Sequence, residues 1–75
     1  MVEKYANNSG NSGVDAFEIN LDYIWIWFKR GGAYRYSRWS VSEQYLAILV
    51  ELAKAGQGLN TFINKYVKKN FDMKR

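Results

Sequence analysis

Hydrophobic side chains of two kinds alternate along YIWIWFK, residues 23–29. Ile24, Ile26 and Phe28 fall on one side, and Tyr23, Trp25, Trp27 and Lys29 on the other. β-Branched and aromatic residues suit a pleated surface, so the segment reads as a strand. Gly31-Gly32 comes next as a hairpin signal. AYRYS returns as a second strand, with Tyr34 and Tyr36 on one face and Arg35 on the other. With the two glycines as central turn residues, Tyr36 stands opposite Trp27 and Tyr34 opposite Lys29. One face then carries Tyr23, Trp25, Trp27, Tyr34 and Tyr36. A slip of one residue exchanges the faces, so the pattern leaves open which face the rest of the chain covers. Upstream, VDAFEIN, residues 14–20, alternates more weakly around Phe17 and Ile19 and leads into a turn at NLD.

Beyond residue 39 the period changes from two to that of a helix. In SVSEQYLAILVELAKAG, residues 40–56, Val41, Tyr45, Ile48, Leu49 and Leu52 form a stripe that Leu46 and Val50 widen. Ser40 and Glu43 match a capping box, and Gly56 stands at the stop position. In GLNTFINKYVKKNF, Leu59, Phe62, Ile63, Tyr66 and Val67 repeat the helical spacing. Lys65, Lys68 and Lys69 lie on or near its outer side, and Asn60 suits a helix cap. The expected fold is α+β: a small antiparallel three-stranded sheet followed by two helices packed on one face. Residues 1–13, rich in Asn, Ser and Gly, read as a flexible tail, 14–70 as one domain, and 71–75 as a frayed basic end.

The amino-acid inventory narrows the chemistry. The 75 residues include no Cys and no His, which removes disulfides, Cys/His zinc sites and thiol or imidazole catalysis. The carboxylates are scattered and no phosphate-loop motif occurs, so the expectation is a protein without catalysis, metal or cofactor. A domain of this size buries only about 60% of its unfolded surface. Its aromatics are therefore wanted for the core. Charge is uneven: residues 1–22 carry a net −3, residues 23–53 a net +2 and residues 54–75 a net +5. No apolar run approaches the roughly 20 residues of a membrane span. The beginning of the chain lacks a basic-then-apolar leader. The expectation is a cytoplasmic protein, of its own cell or of a host cell, without membrane partners.

Several of these features together resemble the KTSC domain, named for a segment at the C-terminus of some lysyl-tRNA synthetases and found alone in small bacterial and phage proteins. IWIWFKRGGAYRY has that family's strand, glycine turn and Tyr-x-Tyr, at Ile24, Ile26, Phe28, Gly32, Tyr34 and Tyr36. Val41, Tyr45, Gly56 and NTFINKY, with Asn60, Ile63 and Tyr66, look like the family's later motifs. The likeness spans roughly residues 17–67. Ser42 stands where the family commonly has proline, and Lys54 where it commonly has serine. The resemblance implies the α+β fold. An RNA-binding role is implied only by the family's company with tRNA synthetases.

Two functions are open at this point. In the first, Trp25, Trp27, Tyr34 and Tyr36 stack on the bases of RNA or another single strand. Lys29, Arg30, Arg35, Arg38, Lys65, Lys68 and Lys69 then contact phosphates. The plain alternative makes the aromatics core and the charges a solvated rim. In the second, the Trp/Tyr face is an anchor for a host protein complex, as in a phage or mobile-element protein, since Trp, Tyr and Arg dominate binding hot spots. Self-association into a homodimer through that face is a third outcome.

Overall fold

The computed structural model describes residues 1–8, 10 and 12–75. The hairpin expected between Trp27 and Tyr36 forms, in a different register. Strand β3 (Tyr23–Phe28) pairs with β4 (Gly32–Ser37) through Phe28–Gly32, Ile26–Tyr34 and Ile24–Tyr36, leaving Lys29, Arg30 and Gly31 as the loop. Gly31 and Gly32 have φ of 145° and 76°, a combination that lets a three-residue loop close with glycine at its end. A Cβ on Gly32 would collide with the Arg75 carbonyl, which a glycine avoids. The register differs from the expected one by an odd number of residues, so the faces are exchanged. Tyr34 and Tyr36 share a face with Ile24 and Ile26, and Trp25 and Trp27 point away from them.

The sheet is also larger than expected. Among the described residues it has five antiparallel strands, neighbouring one another in chain order, not three. Strand β2 (Val14–Ile19) pairs with β3 as its alternation implies, with a bulge at Asp15. The two further strands, β1 (Glu3–Lys4) and β5 (Met73–Lys74), are two-residue edges on β2 and β4. Each lies in a segment that reads from sequence as unstructured. Strands so short show no period, and short edges are a common way to limit further pairing. Of the expected tail, Ser9 and Asn11 lie outside the described residues. Tyr5 in the tail is built into the core, at 2% exposed. Gly56 O accepts from Asn8 N at 2.7 Å.

Helix α1 (Glu43–Ala55) starts later than the Ser40 capping box implies. Ser42 is its cap and accepts from Tyr45 N at 3.3 Å. Ser40 instead closes the preceding turn, donating to Ser37 O at 3.0 Å through its backbone. The buried face is set accordingly by Leu46, Leu49 and Ala53, and Ile48 from the expected stripe is exposed. Gly56 ends the helix as expected, with φ 75° and its N–H donated to Leu52 O. Helix α2 (Leu59–Phe62) runs on into a π-helical turn, Ile63–Val67. Asn60 is not its cap. Gly58 occupies that position without a side-chain bond, and Leu59 N donates to the Tyr5 hydroxyl at 3.3 Å. Leu59, Ile63 and Val67 are buried, while Tyr66 stands half exposed beside Phe62 and Tyr45. Both helices cover the Ile24–Ile26 face, where Phe17, Tyr36 and Leu49 join one core.

The expected frayed end, 71–75, is clipped to β4. Asp72 accepts from Arg35 Nε at 2.8 Å and from the Ser37 hydroxyl, and Asp72 N donates to Arg35 O at 2.9 Å. The Arg35 bond holds the Asp72 carboxyl below its ordinary range, with help from Ser37 and against the pull of partial burial. A carboxyl with a lowered folded value stabilises the fold above its unfolded value, and that stability is lost as pH falls through the folded one. The wild type is therefore expected to lose stability below about pH 4 in part through this group. Asp72→Asn should be less stable at neutral pH, and the gap should close at acid pH. Urea midpoints of both proteins at neutral and acid pH check this; a constant gap would assign the loss elsewhere.

Candidate functional site

The fold divides the eleven residues singled out from sequence into five that lie elsewhere and six that meet at one cavity. Trp25 and Trp27 lie on the far side of the sheet, 6.2 Å apart between ring centres. That side is less open than its composition implies. Trp25 is 4% exposed, because Arg75, carried over the sheet by β5, places its guanidinium 4.3 Å from the indole centre. Arg35 belongs to the same face and is held by Asp72, with its guanidinium 4.8 Å from the Tyr23 ring centre. Arg38 is likewise engaged within the fold, by Asp22 at 3.1 Å and by Glu43. Lys65 lies 5.4 Å from the Tyr66 ring on the outer side of the second helix.

The other six converge. Lys29, Arg30, Tyr34, Tyr36, Lys68 and Lys69 all border one cavity of about 580 Å³. It lies between the β3–β4 loop and the end of the second helix. The loop is held in place by Lys29 N, which donates to Gly13 O at 2.8 Å. Lys68 and Lys69 reach the cavity from just past a π turn in the second helix. In a regular helix, residues 65, 68 and 69 share one face. The π turn spans Ile63–Val67; Lys68 and Lys69 beyond it border the cavity, and Lys65 within it does not.

The floor of the cavity is aromatic. Tyr34 meets Phe28 edge-on at 5.6 Å and Phe71 edge-on at 4.7 Å. Tyr36 lies beneath them and is 1% exposed; burial, with Tyr34 nearby, pushes its hydroxyl up to about 12. It is a neutral core side chain and offers no free ring face, contrary to the stacking role considered for it. Tyr34 is only half buried and keeps part of its surface toward the cavity.

Charge distinguishes this cavity. Among the described residues, Lys29, Arg30, Lys68 and Lys69 border it with no carboxylate, and none of the four takes part in an ion pair. A larger hollow of about 760 Å³ lies between Leu21 and Val50, but its one cation, Arg38, is paired, and Glu43 and Glu51 border it too. Among the described residues no cluster of acidic side chains could hold a metal ion, and no helix is long and apolar enough to cross a membrane.

Three further cavity residues do not stand out in the sequence as site residues. Asn60 reads there as a cap. Asn64 sits four residues on, and that repeat is the available signal. Phe71 falls at the expected frayed end, although a large aromatic there is itself a sign of burial. No family model, curated protein or solved structure matches the chain. The likeness to KTSC domains thus rests on the quoted motifs.

Proposed function

We propose that this protein is a non-catalytic binding module for single-stranded nucleic acid, RNA foremost, and that its site is the cleft between the β3–β4 loop and the second helix. One observation carries the reading: four unpaired cations from two separate elements border an aromatic-floored cavity that no carboxylate lines among the described residues. Like charges brought together repel one another and are soluble anywhere on a surface. Their convergence is best matched by a polyanion that threads past the cleft and neutralises them. The exposed parts of Tyr34, Phe28 and Phe71 supply the apolar surface on which an unpaired base rests, a contact that tolerates many sequences. The KTSC resemblance agrees with this reading. The alternative, a host protein docked on the tryptophan face, has less to hold, because Arg75 already covers Trp25.

The test is anisotropy of a labelled single-stranded RNA across a salt series. For single strands, the slope of log K against log salt is about −0.7 for each phosphate neutralised. Lys68→Ala/Lys69→Ala is expected to flatten the slope by about 1.4. Arg35→Ala and Arg38→Ala should leave it nearly unchanged, because those guanidinia are already engaged. Binding that ignores salt, or a double variant with the wild-type slope, would remove the cleft from consideration. Trp25 and Trp27 lie on the opposite side of the sheet, so their emission does not report on the cleft.

A further inference from the structure

The cleft holds two groups that phosphate binding does not use. Asn60 and Asn64 lie four residues apart across the start of the π turn, and both border the cavity beside the aromatic floor. Among the described residues, neither side chain makes a hydrogen bond. Asn60 is instead placed against Gly13: a Cβ on that glycine would sit 3.6 Å from Asn60 Nδ2. Each amide presents one donor group and one acceptor. Two of them form a polar edge beside the aromatic floor, whose rings meet edge-on.

Resting on the single-strand reading above, we infer that the cleft reads a base, and that the base is adenine. A carboxamide pairs in two bonds with adenine, accepting from N6 and donating to N7. On that same edge guanine presents two acceptors, O6 and N7, so the carboxamide oxygen would face an acceptor where adenine offers a donor. Pyrimidines fit the same amides in principle but cover less of the Phe28, Tyr34 and Phe71 surface. At about 580 Å³ the cavity has room for a purine nucleotide with its phosphate turned to the cations. The division of labour is then clear: Lys29, Arg30, Lys68 and Lys69 set affinity and its salt dependence, and Asn60 and Asn64 set base preference.

The experiment compares labelled oligoadenylate, oligouridylate and oligocytidylate of one length at one salt concentration. Oligoadenylate should bind about tenfold more tightly than either pyrimidine strand. Asn60→Ala/Asn64→Ala should bring the three affinities together and leave the salt slope unchanged. Asn64→Ala alone, at an exposed position where folding is not at stake, should remove most of the preference. Lys68→Ala/Lys69→Ala should do the reverse, flattening the slope and keeping the preference. Three equal affinities with a steep salt slope would overturn adenine reading and leave the single-strand site standing. No salt-reversible binding of any strand would overturn both. Displacement of oligoadenylate by free AMP at comparable concentration would keep adenine in the cleft and overturn the strand as its natural form.

Discussion

Tyr5→Ala should remove a large share of this protein's stability. Tyr5 comes from a segment with little hydrophobic content, yet its ring is part of the core at 2% exposure. Removing a buried aromatic ring costs about 3–5 kcal/mol. A domain of 75 residues has roughly 4–11 kcal/mol in all, at about 0.05–0.15 kcal/mol per residue. The ring also carries a hydroxyl that accepts from Leu59 N, the first residue of α2. That helix has a glycine at its cap and no side-chain bond of its own there, so Tyr5 does the capping from 54 residues away. Tyr5→Phe keeps the ring and leaves this N–H without a partner, which costs about 1–3 kcal/mol. Thermal melts should therefore rank wild type, Phe and Ala in that order. The Ala variant should melt lower by at least about 12 °C, taking about 4–8 °C per kcal/mol for a domain of this size. A Phe variant as unstable as Ala would place the whole effect in the hydrogen bond. Equal stability of all three would mean the segment is not docked in solution.

Gly56→Ala should cost nearly as much, and for two separable reasons. Gly56 has φ 75°, where an L side chain is strained by about 1–2 kcal/mol. The added Cβ would also sit 2.6 Å from the Ala6 Cβ, a collision between two atoms fixed directly to the backbone rather than with a flexible tip. Overpacking of this kind costs about 1–3 kcal/mol. Relief requires residues 6–8 to move, and those residues hold the end of α1: Asn8 N donates to Gly56 O at 2.7 Å, and Asn8 Nδ2 to Ala55 O at 3.0 Å. The expected total is about 2–5 kcal/mol by urea denaturation. Ala6→Gly in the same chain should recover the collision part and not the backbone part, so the two substitutions should be non-additive. Additivity would show that residues 6–8 do not pack on the helix end.

These two residues mark the limit of what pattern reveals. Gly56 is legible as a helix stop, because a lone glycine after a helical stripe has a local conformational meaning. Its second role, seating Ala6, is not, because that contact spans 50 positions of the chain. Tyr5 has no periodic neighbours to announce it. The candidate site divides in the same way. Lys68, Lys69 and Tyr34 stand out by their types and positions. Asn60 and Phe71 join them only because the second helix and the clipped end meet at one cavity. The alternation groups Trp25 and Trp27 with Tyr34 and Tyr36, and the hairpin register separates them.

By itself the sequence determined the three long strands, both helices, the stop at Gly56 and the concentration of positive charge toward one end of the chain. All of these come from spacings of two to four residues or from composition, which neighbouring side chains carry locally. The tertiary structure decided the odd-numbered shift in the hairpin, the two edge strands, the sheet face that the helices cover, and which cations are spent on ion pairs. Each of these depends on residues far apart in the chain meeting in space. Period-two alternation is symmetric between the faces of a sheet, and a two-residue strand has no period to display.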